Sequence, residues 1–236
     1  MTKRDFSEEI RKTAKKYWRQ TFFHPTNSLD TNKVLNMKGN KLLRRLEEIL
    51  NYREELYEYS KHMAWDKLYG SVLDFGCGSC PDGHYFLKNK LIDHLTIADI
   101  VPSNILISLK HLSLISKNVT SFLWEKPDDL KYLNKYNIIY SGGVLHHMPD
   151  AKSIVDNLKK HLIYPDGMFI IMLYTYKLHP KERAYLESIP KDAEGPYCRG
   201  YNFEDVLKLF GDDMFIDESR TFYDGKYCRY IIKWIN

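Results

Sequence analysis

The stretch that most constrains this chain is VLDFGCGSCPDG, residues 72–83. Val72, Leu73 and Phe75 form a short apolar run that enters a turn at Gly76, and a glycine there lets a backbone approach a ligand with no Cβ in the way. The pattern points to a bound nucleotide or nucleoside. A phosphate-cradling P-loop requires Lys-Ser or Lys-Thr directly after its last glycine, whereas Ser79, Cys80 and Pro81 follow Gly78 here. A dinucleotide fingerprint requires a third glycine for close helix-to-strand packing, and Pro81 stands where it would fall. ATP and NAD are therefore both disfavoured. What sets the loop apart is an acid inside the strand, Asp74, two residues before the first glycine.

The sequence around the loop supplies an alternating rhythm. Short apolar runs at 72–75, 95–100, 119–124, 137–141 and 168–174 predict strands, and residues 82–89, 102–116 and 150–162 carry helical periodicity. Pro102 and Asp150 suit helix starts. Such alternation gives a mostly parallel sheet with helices on both faces, and its ligands sit at the carboxyl ends of the strands. Near the end, residues 215–223 and 227–235 flank Asp224-Gly225, the signature of a hairpin with a type I′ turn. Before Gly70, Phe6, Ile10, Ala14, Tyr17 and Trp18 recur at helical spacing, so residues 5–20 predict an amphipathic helix. TFFHPTNSLDTN breaks it, and Leu42, Leu43, Leu46, Ile49, Leu50, Leu56 and Tyr57 predict a second, longer helix ending before Gly70.

With 236 residues, 44% of them hydrophobic, the chain is long enough for one sizeable core with an N-terminal extension. No run approaches the ~18 apolar residues of a membrane span, and residues 1–11 lack the apolar segment of a signal peptide. A soluble, cytoplasmic protein is expected. Cys77, Cys80, Cys198 and Cys228 read as reduced thiols. The Cys77-x-x-Cys80 pair lacks a second pair with zinc-ligand spacing, so Cys77 is more simply a small turn residue and no metal is expected. Residues 1–70 hold fifteen Lys or Arg against ten Asp or Glu, so the basic excess lies in the extension. Interspersed charge of this kind is commonly a solvated helix face, which leaves nucleic acid possible and disfavoured.

The order of signals is more specific than any one of them. VLDFGCG, an acid ending the next strand in LTIADI, the segment YNIIYSGGVLHHMPD, a helix, PDGMFIIML and a final hairpin together resemble the class I S-adenosylmethionine-dependent methyltransferases. The resemblance covers roughly residues 70–236 and implies a Rossmann-like, mostly parallel seven-stranded sheet closed by the antiparallel hairpin. Residues 1–69 then form a helical extension or lid, and 70–236 the methyltransferase domain. The cofactor implied is S-adenosylmethionine, with S-adenosylhomocysteine (SAH) as product. VLHHMPD followed by MLY is similar to the group acting on small molecules and sugars, including glycan and natural-product substrates.

Carried over residue by residue, the resemblance implies that Gly76, Cys77 and Gly78 pass their backbone along the methionine portion of the cofactor, which Asp74 holds through its carboxylate. Asp99, 25 residues after Asp74, implies an acid across the ribose hydroxyls, where a carboxylate accepts two charge-assisted hydrogen bonds. Ile100, Ser141 and Gly142 complete the cofactor set. Trp124 offers a face for adenine, although a strand tryptophan is commonly a core residue. Two departures stand out: Cys80 occupies the third position of the glycine triplet, and Glu125 with Lys126 occupies the place of the acid near the adenine amine.

On the acceptor side, His146 and His147 follow the fourth predicted strand, and a histidine suits the general base that a hydroxyl acceptor requires. His147 is the preferred candidate, with a structural role for both as the alternative. Tyr174 and Tyr176 offer flat faces and hydroxyls for a ring, Arg199 a partner for an anion, and Tyr17, Trp18 and His24 a lid. SGGV stands where amino-group methyltransferases of adenine or glutamine carry an Asn/Asp-Pro-Pro-aromatic motif and cytosine-C5 enzymes a Pro-Cys, and no carboxylate cluster follows Ser141. Metal-free O-methylation of a small-molecule or saccharide hydroxyl is the expectation. An RNA-modifying methyltransferase and a non-catalytic cofactor-binding scaffold are the alternatives.

Overall fold

The computed structural model describes residues 7–20, 36–185 and 195–235. Among the described residues, three helices lead in: α1 (Ser7–Gln20), α2 (Gly39–Tyr57) and α3 (Tyr59–His62). There follow β1 (Ser71–Phe75), α4 (Pro81–Lys88), β2 (His94–Asp99), α5 (Pro102–Leu112), β3 (Val119–Leu123), β4 (Ile138–Gly142), α6 (Ala151–Lys159) and β5 (Met168–Tyr174). Two short strands, β6 (Arg183–Ala184) and β7 (Tyr197–Cys198), pair apart from the main sheet. The chain closes with α7 (Phe203–Phe210), β8 (Met214–Phe222) and β9 (Tyr227–Trp234).

The seven-stranded sheet has the order β3-β2-β1-β4-β5-β9-β8. The first five strands are parallel and β9 runs antiparallel to β5 and β8. This is the α/β architecture the sequence predicts. β1, β2 and β4 are buried along nearly their whole length, as strands covered on both faces must be. Because successive side chains alternate between faces, Leu73 and Phe75 join one core with Leu158, Phe169 and Phe210. Val72 joins the other with Phe86, Leu95 and Ile105. The strand order reverses between β1 and β4, so a crevice opens at the ends of β1, β2 and β4.

The long second helix expected before Gly70 is cut in the structure. Glu58 (φ 46°) and Ala64 (φ 54°) are left-handed, and a 3₁₀ turn at Trp65–Lys67 follows. The Glu54 carboxylate accepts from Ser60 N (2.9 Å) and Ser60 Oγ (2.6 Å), which fixes the first bend. The redirected chain buries Tyr59, Met63 and Trp65 against the sheet, where a straight helix would carry them past it.

Element ends differ from the sequence expectation by one to a few residues, and α5 and α6 stop at Leu112 and Lys159. α7 is an addition whose sequence signal is a capping box. Asn202 Oδ1 accepts from Asp205 N (2.8 Å) and Asp205 Oδ2 from Asn202 N (3.1 Å). In the hairpin turn Asp224 (φ 55°) and Gly225 (φ 74°) occupy the central positions, and Lys226 N donates to Tyr223 O at 3.0 Å. Among the described residues no helix is long and apolar enough to cross a membrane.

Candidate active site

The glycine loop leaves β1 in a left-handed path: Gly76 has φ 76°, Gly78 φ 56° and Cys80 φ 53°. Gly76 N and Cys77 N both donate to Ala98 O, at 2.7 and 3.1 Å, which ties the loop to β2. The two glycines answer to different neighbours. A Cβ on Gly76 would stand 2.3 Å from Val144 Cγ2, whereas one on Gly78 would meet nothing within 4 Å. Gly76 is thus required by packing, and Gly78 borders open space. Cys80 adopts at the third position a conformation that glycine accepts more readily, and its Sγ donates to Asp74 Oδ2 at 3.3 Å.

A cavity lies against this loop, lined by Asp74, Gly76, Cys77, Gly78, Asp99 and Ile100 and continued by Trp124, Gly142, Gly143 and His147. Three buried carboxylates converge on it, each in a different state of compensation. Asp99 Oδ2 accepts from Gly78 N (2.9 Å), and Oδ1 from Val101 N (2.8 Å) and Asn104 Nδ2 (3.3 Å). Burial raises its pKa against the pull of those donors. Asp82 Oδ1 accepts from Arg53 Nη1 (2.7 Å), and Oδ2 from the hydroxyls of Tyr140 (2.7 Å) and Tyr59 (3.2 Å). Among the described residues Asp74 has only the weak thiol donor, so burial, followed by repulsion from Asp82, pushes its pKa up to about 8. Near neutral pH its carboxyl holds a proton, and a cation placed beside it would be strongly favoured.

Trp124 is 1% exposed, stacks on Phe75 with ring centroids 5.1 Å apart, and lines the cavity. Its Nε1 is buried with no hydrogen-bond partner among the described residues. Ser141 is also buried with an unpartnered Oγ and stands behind the cavity, whose wall there is Gly142 and Gly143. Glu125 pairs at the surface with Lys15 (2.8 Å). Arg53, Asp82 and Asn104 line the cavity without being anticipated. Asn104 carries the clearest sequence signal, an amide on the first turn of the helix after Asp99.

The two adjacent histidines part company. His147 lines the cavity, and its Nδ1 bonds to the Tyr197 carbonyl at 2.9 Å. A carbonyl only accepts, so Nδ1 carries the proton and the neutral ring has its lone pair on Nε2. His146 is fully buried and does not line the cavity. Its Nδ1 accepts from Tyr174 N (3.3 Å), its ring stacks on Tyr174 at 3.6 Å, and burial holds its pKa well below the ordinary histidine range.

Of the residues expected to form a lid, Trp18 lines the cavity and meets the His147 ring edge-on at 5.1 Å. Tyr17 is buried beside it at 4.7 Å, and His24 lies outside the described residues. Helix α1 is held down by Ala14 in the core and by the Arg11–Asp150 ion pair. Tyr174, Tyr176 and Arg199 do not line this cavity. Tyr176 hydroxyl donates to Asp205 Oδ2 (2.7 Å), and Arg199 lies 3.7 Å from Asp205 Oδ1 and over the Tyr201 ring. Tyr176, Asp205 and Arg199 form a separate polar cluster, and Tyr174 packs among His146, His179 and Tyr227.

Residues 73–169 match the family model described as a methyltransferase domain, and this segment contains the glycine loop, Asp99 and His147. The matched segment carries a methyltransferase domain. A solved S-adenosylmethionine-dependent methyltransferase from Clostridium acetobutylicum is similar in structure, with a TM-score of 0.58 at 14% identity, covering 84% of this chain and 99% of that one. Another from Aquifex aeolicus has a TM-score of 0.56 at 18% identity over 85% and 100% of the two chains. The DhpI–SAH complex has a TM-score of 0.55 at 13% identity over 97% and 98%. At these identities the neighbours establish a shared fold. No curated protein sequence matches the chain significantly. The residues of the cavity fit S-adenosylmethionine, the cofactor that the sequence resemblance implies. Gly78 leaves the space a Cβ would fill, and the under-compensated Asp74 suits a cationic ligand.

Proposed function

We propose that the methyltransferase acts on a hydroxyl oxygen of a small molecule or saccharide, with His147 as the base. The observation that carries this reading is the fixed imidazole. The Tyr197 carbonyl holds the proton on Nδ1, so the basic Nε2 belongs to a ring that lines the cavity next to Gly143 and Trp18. When bound, S-adenosylmethionine supplies an electrophilic methyl group on a sulfonium leaving group. The protein's part is then to align the acceptor oxygen and to remove its proton. His147 takes that proton, and Trp18 closes the cavity over the acceptor and excludes water.

Within the same proposal Asp74 and the Gly76–Cys77–Gly78 backbone hold the methionine portion, with the Arg53–Asp82 pair at its carboxylate end. Asp99 receives the ribose hydroxyls in place of part of its present donors, while Ile100 and Trp124 border the adenine. Ser141 backs the wall formed by Gly142. His146 orients Tyr174 N and the strand end. Tyr17 supports Trp18, and Tyr174, Tyr176 and Arg199 border the acceptor entrance. Residues 1–69 act as lid and 70–236 as the catalytic unit.

The experiment is a methyl-transfer assay with isotopically labelled S-adenosylmethionine against a panel of sugars, phenols, amines and RNA. Label on oxygen of a sugar or phenol is expected. Label only on nitrogen or only on RNA would replace this reading, and cofactor binding without transfer to extracts would favour the scaffold alternative.

A further inference from the structure

Helix α5 carries a buried polar stripe. Asn104, Ser108 and His111 recur at spacings of four and three, which places them on one face of the helix, and they are 7%, 0% and 0% exposed. Buried polar groups persist where they have partners, and these partners are in the cofactor machinery. Asn104 Nδ2 donates to Asp99 Oδ1. Ser108 Oγ donates to Gly78 O at 3.0 Å, and His111 Nε2 donates to Ser79 O at 2.8 Å. A proton on Nε2 makes His111 Nδ1 the acceptor, and it faces His84 Nδ1 at 3.3 Å. His84 is itself 2% exposed. Burial lowers the pKa of both rings, that of His111 to about 4, so the chain His84–His111–Ser79 is neutral under ordinary conditions. Lys88 on α4 and Glu47 on α2 are the charged groups facing His84.

The consequence is set by peptide geometry. In a trans peptide the N–H points opposite to the preceding C=O. With Gly78 C=O drawn toward Ser108, the Ser79 N–H is turned away from α5, at a residue that lines the cavity. It donates to no group among the described residues. The next peptide is pinned at both ends, because His111 takes Ser79 O while Cys80 N donates to Cys77 O at 2.7 Å.

We propose that Ser108 and His111 are positioning residues that aim the Ser79 N–H at the carboxylate on the amino-acid end of the cofactor. The inference rests on the S-adenosylmethionine reading. It assigns specificity for the amino-acid end to two residues that do not themselves line the cavity, with His84 fixing the ring of His111.

Calorimetric titration of SAH and of 5′-methylthioadenosine, the same nucleoside thioether without the amino acid, separates this from a general structural role. Ser108→Ala is expected to weaken SAH about fivefold and His111→Ala about tenfold, while 5′-methylthioadenosine binding stays within about twofold. His111→Gln and Ser108→Thr, which keep a donor, are expected to restore SAH binding. Should His111→Ala fail to fold, Ser108→Ala and His111→Gln carry the same comparison. Equal losses for both ligands, or no loss, in variants of a wild type that binds SAH would overturn the positioning role. A wild type that binds neither ligand would overturn the cofactor reading and this inference with it.

Discussion

The two ends of the cavity are built in opposite ways. The end bearing Asp74, Gly76, Gly78 and Asp99 comes from one continuous β-α-β unit, and its parts are held by hydrogen bonds between neighbouring strands and helices. The end bearing Trp18 and His147 joins segments that are far apart in the chain. Tyr197 O fixes His147 across 50 residues, and Arg11 reaches Asp150 across 139. The first end is therefore a property of local sequence, while the second exists only while α1 and the segment around β7 remain docked. A change at the first end should act on cofactor affinity, and one at the second on turnover.

The largest effect should come from the docked end. His147→Ala is expected to reduce methyl transfer by about a hundredfold or more, the usual worth of a positioned base, while SAH titrates into the protein unchanged. Loss of SAH binding in that variant would erase the contrast between the ends. Asp99→Ala should show the converse, weakening SAH by about a hundredfold through two lost charge-assisted hydrogen bonds, as read by calorimetry.

The glycines sharpen the comparison within the loop itself. Gly76→Ala forces a left-handed alanine against Val144 and should lower stability by about 3 kcal/mol, seen as a fall in melting temperature. Gly78→Ala meets open space and should cost only about 1 kcal/mol of stability, with the larger penalty in SAH affinity. Equal melting temperatures would break the distinction between a packing glycine and a ligand glycine.

Asp74 gives a smaller, pH-dependent effect. Its pKa of about 8 means that the free protein holds the proton below that pH. The positive charge of S-adenosylmethionine favours the carboxylate, so binding releases a proton and a rise in pH strengthens it. Affinity should climb by up to about tenfold per pH unit below 8 and level off above it. Asp74→Asn should flatten the profile. The smallest effect is expected from Arg11→Ala, where a partly buried ion pair on α1 contributes about 1 kcal/mol. A modest rise in acceptor KM with unchanged SAH affinity would confirm that α1 serves only the docked end.

By itself the sequence determined the α/β sheet, the hairpin and the loop at Gly76–Gly78, because period-two and helical hydrophobic patterns and glycine turns are local consequences of chain geometry. It also placed Asp74 and Asp99 at adjacent strand ends, since parallel β1 and β2 put Asp74 opposite Ile97, two residues from Asp99. The bends at Glu58 and Ala64 were hidden, because helical periodicity continues across a left-handed residue that only packing and the Glu54 side chain enforce. Tertiary structure alone separated His147 from His146, brought Arg53 to Asp82, and turned Asn104, Ser108 and His111 into the supports of the glycine loop. His146 and His147 end a 3₁₀ turn, Leu145–His147; adjacent residues of such a turn point in different directions, and which of them meets a cavity depends on the segments that fold over it.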